Sequence, residues 1–353
     1  MKVLILNRRC IKHPEKGGAE NYTYHIAKGL IEAGYSVEWF SSKTKELKSE
    51  EIIDGIKFIR KGNELTTHFY GFMYMLNKSQ DWLIIDEFNG VGYLTFFKKN
   101  SILLIHQLYE EFWNAELGFV GHIPRFLEKV FLRLYKNKKT ITVSPSTQSD
   151  LKNLGFKDIQ IVYNGLEYQP LDGVPKKNEN LTLLYLGRLK KTKNPEYAIK
   201  IFLKVKEYIK DASLYVAGTG PLLNYLKDKY SNVEGIKFFG YVSEEEKINF
   251  IKQSHLLIVQ SIREGWGQVV IQADAFGTPA VGYRVHGLVD SIKDNETGFL
   301  VNSEDEAVKK IIDIWNNKHE YSKLCQNALN WAKNFSWDKT KSEFLKAIKE
   351  FGK

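Results

Sequence analysis

The residues best suited to do chemistry lie between Arg263 and Ile292. Glu264 stands at the mouth of a glycine-bearing turn, Gly265-Trp266-Gly267-Gln268, and Gln272 follows it by one or two turns of helix; Gly277-Thr278-Pro279 and His286-Gly287 come after. A carboxylate so placed can accept hydrogen bonds from the hydroxyls of a ligand. Backbone N–H groups left open where a helix begins attract an anion. Together they fit a nucleotide sugar; an ordinary turn carrying a surface acid is the plain alternative. Arg188 and Lys193 lie just before Pro195, a residue suited to a first helical turn. A diphosphate would find two cations and open amides there, although two basic residues in a loop are also often simply solvated. His106 ends an apolar run, and ligands of open α/β sheets bind beyond the carboxyl ends of the strands. A structural hydrogen bond is the commoner use of a lone histidine. Asp86-Glu87 also ends an apolar run, where helix capping explains the pair as well as a ligand does.

The elements that must hold these residues are legible from periodicity. Val3–Leu6 is a short buried strand, followed by a loop and a helix with Ile26, Ala27, Leu30 and Ile31 on its apolar face, then Gly34 and a second strand from Val37. This is a βαβ unit. Gly17-Gly18-Ala19-Glu20 opens the helix; the G-x-G-x-x-G dinucleotide spacing is absent, and a flexible turn is the commoner meaning of a Gly-Gly pair. Apolar runs at 56–59, 82–85, 102–105 and 140–143 continue the strand series, and 183–186, 214–217, 236–239 and 256–259 form another. The aromatic stretch 112–122 reads as irregular. The segment 125–139 reads as a helix carrying Phe126, Leu127, Val130, Phe131, Leu134 and Tyr135 on one face, with Arg125, Lys129, Arg133 and Lys136 on another side. Contact with an anionic membrane and packing on the sheet with a solvated basic side explain it equally.

A chain of 353 residues points to two domains. Hydrophobic content of 43% and charged content of 26% are those of an ordinary globular protein, and no apolar run is long enough to span a bilayer. The net charge of +9 is spread over both halves, without a nucleic-acid stripe. Two cysteines, Cys10 and Cys325, and an N-terminus without a cleavage pattern indicate a reducing cytoplasm, with a peripheral place on the inner face of a membrane left open.

Glu264 and the eight-residue step to Gln272, Gly277-Thr278-Pro279, Gly187-Arg188-Leu189 with Lys193-Asn194-Pro195, Gly17-Gly18-Ala19-Glu20, His106-Gln107-Leu108 and Val143-Ser144-Pro145-Ser146-Thr147 together resemble glycosyltransferase family 4. The resemblance covers nearly the whole chain. It implies an α/β protein of the GT-B fold, two Rossmann-like domains facing across a cleft. The expected boundaries are 1–167 for the acceptor domain and 168–336 for the donor-nucleotide domain, with a C-terminal helix at about 337–353 returning to the first. It implies a retaining transferase moving a hexose-type sugar from a UDP- or GDP-linked donor to a glycan, lipid-linked or small-molecule acceptor. No metal or cofactor is expected, in keeping with the absence of an Asp-x-Asp box. By the same resemblance Glu264 faces the donor sugar and Arg188 and Lys193 bind the diphosphate. Gly265, Trp266, Gly267 and Gln268 lend turn amides, His106 touches the sugar or acceptor, and Tyr241 and Val242 bracket the base. Gly17 and Gly18 match a cleft turn. Gln272 departs from the pattern, which has glutamate there for the ribose; a neutral amide keeps one acceptor and loses the charge. The rival readings are a non-catalytic sugar-nucleotide-binding subunit and another GT-B activity such as a nucleotide-sugar epimerase.

Overall fold

The computed structural model describes residues 1–351, and the chain divides into two compact units. The first runs from Met1 to Gly165 and takes back the C-terminal segment from Phe335. Its strands are β1 (Lys2–Leu6), β2 (Ser36–Ser41), β3 (Glu50–Ile53), β4 (Ile56–Arg60), β5 (Leu83–Glu87), β6 (Ser101–Ile105), β7 (Lys139–Thr142) and β8 (Ile159–Ile161). Its helices before residue 165 are α1 (Gly18–Glu32), α2 (Thr67–Leu76), α3 (Glu110–Leu117), α4 (His122–Tyr135) and α5 (Pro145–Asn153). The sheet order is β3-β4-β2-β1-β5-β6-β7-β8, parallel except for the β3–β4 pair. β5 and β6 are buried at every position, as strands covered on both faces must be.

The second unit, Leu166–Asn334, contains β9 (Thr182–Leu186), β10 (Ser213–Ala217), β11 (Ile236–Gly240), β12 (Leu256–Val259), β13 (Ala280–Tyr283) and β14 (Gly298–Val301). Its helices are α6 (Pro195–Tyr208), α7 (Leu223–Tyr230), α8 (Glu244–Gln253), α9 (Gln268–Asp274), α10 (Leu288–Ser291), α11 (Glu304–Asn316) and α12 (Lys318–Ala332). All its strands are parallel, in the order β11-β10-β9-β12-β13-β14. Numbered within the unit this is 3-2-1-4-5-6, the doubly wound dinucleotide-binding order. The last helix, α13 (Trp337–Phe351), lies on α1. The Trp337 ring stacks on His25 with centroids 4.0 Å apart, and Lys341 reaches Glu32 at 3.0 Å. Gly29 is needed at this crossing, since a Cβ there would meet the Lys341 side chain at 2.8 Å.

Several elements depart from the sequence reading. The β3 strand and α2 were not signalled. The stretch read as irregular forms α3 and a short 3-10 turn, Gly118–Gly121. For α4, whose apolar face the sequence left open between a membrane and the sheet, Glu128, Leu132 and Tyr135 are buried, while Phe126, Leu127, Val130 and Leu134 are exposed.

Candidate active site

In an open parallel sheet the crevice for a ligand opens where neighbouring strands send their connections to opposite sides. In the second unit that point lies between β9 and β12, which are paired. The loop after β9 carries Arg188 and Lys193, and the loop after β12 carries Glu264. Ile262 donates its backbone N–H to Thr192 O at 3.1 Å, tying the two loops together. The Lys193 ammonium meets the Glu264 carboxylate directly, and Ser261 Oγ donates to Glu264 Oε1 at 2.6 Å. Neither partner is fully buried, the side chains being 27% and 14% exposed, so the pair faces a ligand-accessible edge. An ammonium has three hydrogens; Lys193 can hold Glu264 and still donate to a phosphate oxygen. Arg188 is exposed on the same loop.

The backbone around this pair is fitted too closely for side chains. Glu264 N donates to His286 O at 2.9 Å, and a Cβ on Gly287, whose φ is +79°, would sit 2.3 Å from Glu264 O. On the β9 side a Cβ at Gly218 would fall 1.9 Å from Gly187 O. Gly267 (φ +83°) then starts α9, which is only seven residues long and buries Val270, Ile271 and Ala273. Trp266 is buried, while Gly265 and Gln268 are half-buried at the turn. Gln272 is half-buried on α9 and its amide takes no hydrogen bond among the described residues. Tyr241, 84% exposed, and Val242 follow β11 on the edge of the sheet where Gly187 and Gly218 also lie.

In the first unit the corresponding point lies between β1 and β5. Glu87, at the end of β5, is completely buried yet accepts three hydrogen bonds, from Asn7 Nδ2 at 2.5 Å, Thr23 Oγ1 at 2.7 Å and His106 Nε2 at 3.0 Å. Burial pushes its carboxyl up, and the bond from His106 pulls it down. With Glu87 accepting, Nε2 carries the imidazole hydrogen, so Nδ1 is the atom left to accept from a hydroxyl. Tyr22 packs its ring edge-on against His106 with centroids 5.1 Å apart. Gly17 and Gly18 lie exposed at the start of α1, where the Gly17 N–H is held by Glu20 Oε2 at 2.7 Å. Their φ angles are not in the left-handed region.

The neighbouring Asp86 serves the fold instead. It is buried and accepts from Tyr93 N, Thr95 Oγ1 and Tyr135 Oη, and burial raises its carboxyl to about 6. Sequence reasoning treated the acid pair as one signal and missed that alternation on β5 sends its members to different tasks. It also missed Asn7, Thr23 and Ser261. Among the described residues no group of three or more His, Cys, Asp or Glu side chains is placed to hold a metal ion, and both cysteines are free.

Two sequence families match this chain: glycosyl transferases group 1 over residues 172–331 and glycosyltransferase family 4 over residues 16–169. An uncharacterized glycosyltransferase of Methanocaldococcus jannaschii is 30% identical over 271 residues, covering 72% of this chain and 69% of that protein. The chain is a family 4 glycosyltransferase. Another uncharacterized glycosyltransferase of that organism is 24% identical, with 94% of each chain covered. Among solved structures, sucrose-phosphate synthase from Thermosynechococcus elongatus superimposes with a TM-score of 0.78 at 17% identity, covering 99% of this chain and 98% of that one. Anabaena HepE in complex with UDP-glucose gives 0.74 at 16% identity, with 99% and 100% covered. The fold is therefore GT-B. The family 4 chain is a transferase enzyme, and enzymes of its group use nucleotide-sugar donors.

Proposed function

We propose that this glycosyltransferase moves a hexose-type sugar from a UDP- or GDP-linked donor to a glycan, lipid-linked or small-molecule acceptor, with retention of anomeric configuration and without a metal ion. The second unit, here 168–336, would hold the donor, and the first, 1–167 with the C-terminal helix, would serve the acceptor. The observation that carries this reading is the Lys193–Glu264 pair on two loops joined at the sheet's switch point. A UDP-glucose complex of a protein with the same fold supports a uridine donor.

In the proposed reaction the acceptor hydroxyl attacks the anomeric carbon on the face the diphosphate leaves. The carbon–oxygen bond to phosphate breaks, its electron pair goes to the phosphate oxygen, and that oxygen takes the acceptor's proton. Arg188 and Lys193 stabilise the negative charge that grows on the leaving group, with amides at Gly265–Gln268 assisting, as preorganised cations and donors do where charge develops. Glu264 orients the sugar hydroxyls and steadies positive charge at the anomeric carbon. His106 Nδ1 accepts from a sugar or acceptor hydroxyl, and Gly17 and Gly18 leave room at the start of α1. Gln272 meets the ribose with one carbonyl acceptor, and Tyr241 with Val242 flanks the base. A peripheral contact with a membrane surface would serve a lipid-linked acceptor.

The test is thermal-shift binding of UDP, GDP, ADP and their sugar conjugates with EDTA and with divalent metal, then hydrolysis of the sugar nucleotide that binds. Selective stabilisation by one uridine or guanosine conjugate in EDTA, and release of the α-configured sugar from an α-linked donor, is expected. Binding only with metal, or release of the inverted sugar, would overturn the reading.

A further inference from the structure

Helix α4 presents an unpartnered apolar stripe. Ile123, Phe126, Leu127, Val130 and Leu134 recur at helical spacing and are 63%, 65%, 45%, 37% and 50% exposed; Phe119 and Val120, in the turn before them, are 90% and 62% exposed. The orientation is fixed from behind. On the opposite side of the helix Glu128 is buried and accepts from Tyr109 N at 2.8 Å, Glu110 N at 3.2 Å and Trp113 Nε1 at 3.0 Å. One carboxylate thus caps α3 and locks α4 face down, which leaves the Phe126 row facing solvent. Phe96 and Phe97, in ring contact with each other, are also exposed, and Phe97 meets Phe72 of α2.

The charge beside the stripe decides what can cover it. Lys129, Arg133 and Lys136 lie along one flank, and none has an ion-pair partner among the described residues. The one acid on α4 is Glu128, on the buried side. A second copy docking through the same face would bring like charges together with no acid to answer them. Lipid surface offers both things this face lacks, acyl chain for the stripe and phosphate for the cations.

We infer that the α4 face from Phe119 to Lys136 docks this enzyme on an anionic bilayer. The inference rests on the membrane contact proposed above and gives it a place in the fold. It is tested by sedimenting the full-length protein with vesicles of phosphatidylcholine alone and of phosphatidylcholine with phosphatidylglycerol. Two double variants, Phe126→Glu with Val130→Glu and Lys129→Glu with Arg133→Glu, accompany the parent, and the UDP thermal shift is recorded for all three. The parent should bind the anionic vesicles in preference, less so at high salt, and each variant should bind about tenfold more weakly with its UDP shift unchanged. Equal binding to both vesicle types, no binding to either, or variants that bind as the parent does would overturn the inference. So would a self-association of the parent that both variants abolish without lipid binding. Anionic-vesicle binding in a protein silent to UDP would support the docking face and count against the donor reading alone.

Discussion

Glu264 and Lys193 hold each other, so each substitution acts on both. Removing the carboxylate in Glu264→Ala frees Lys193 and, in the proposed reaction, takes away the acceptor that would orient the sugar. The expected result is a loss of about 10²- to 10³-fold in kcat with little change in folding, read from steady-state kinetics alongside a melting curve. In the first unit Glu87 holds His106, and in the proposed reaction it would be a positioning residue acting on substrate through that imidazole. Glu87→Gln keeps an acceptor for Asn7 and Thr23 but no longer fixes which imidazole nitrogen carries hydrogen. Its kcat should fall about tenfold or more with donor KM held, Glu87→Asp should restore part of it, and the His106→Ala/Glu87→Gln double variant should be no slower than His106→Ala. Additive losses in that cycle would show that the two residues act separately. Both effects belong to single side chains, and only one of them was visible in advance. Glu264 stood out because it sits at the mouth of a glycine turn that opens a helix and matches the family motif; Glu87 was hidden by Asp86, since a strand end says nothing about which of two adjacent acids faces the helix that carries Thr23.

At the scale of elements, the site is made by loops pressed together where only glycine fits. Gly287→Ala must both hold φ at +79° and place a Cβ 2.3 Å from Glu264 O, so the turn has to move. Strain of this kind costs about 1–3 kcal/mol. Weakened donor binding, with the rest of the second unit still folded, is the expected outcome in a titration followed by calorimetry. The sequence marked these turns well, because glycines after short apolar strands are a local signal. It left the orientation of α4 open. Helical periodicity gives the width of an apolar stripe, yet not which side meets the sheet, and here a buried Glu128 with three donors outweighs the stripe. Donors from Tyr109, Glu110 and Trp113 sit in a segment whose helical form the sequence did not disclose.

Across the molecule, stability should depend on pH through groups buried without charge. His255 in the second unit is buried, accepts from Thr182 N at 3.1 Å and is pushed down to about 4 by burial. A lowered pKa means the folded state disfavours the proton. The stabilisation is present above the unfolded value near 6.5 and is lost as pH falls toward 4, by about 3 kcal/mol in all. Melting followed from pH 7 to 4.5 should show this fall, and His255→Gln should flatten it. Asp274 works in the opposite sense. It is buried, both carboxyl oxygens lack a partner, and burial holds its pKa well above the usual value. The folded state keeps the proton, so the stability tied to it is complete below the unfolded carboxylate range and is lost as pH rises from there through the raised folded pKa. Asp274→Asn should therefore raise the melting midpoint more at pH 8 than at pH 4. No helix in the described residues is long and apolar enough to cross a membrane.

The sequence by itself determined the α/β class and the glycine turns, and it singled out Arg188, Lys193, Glu264 and His106 as candidates, because strand periodicity, turn chemistry and short motifs are local properties of a chain. Tertiary structure decided the rest. Strand order brought the loops after β9 and β12 side by side, so that Lys193 met Glu264. Alternation along β5 gave Asp86 to the core and Glu87 to His106. Burial of Glu128 under α3 turned an amphipathic helix outward. Each of these depends on which distant groups share a few ångströms, and that is settled only when the chain has packed.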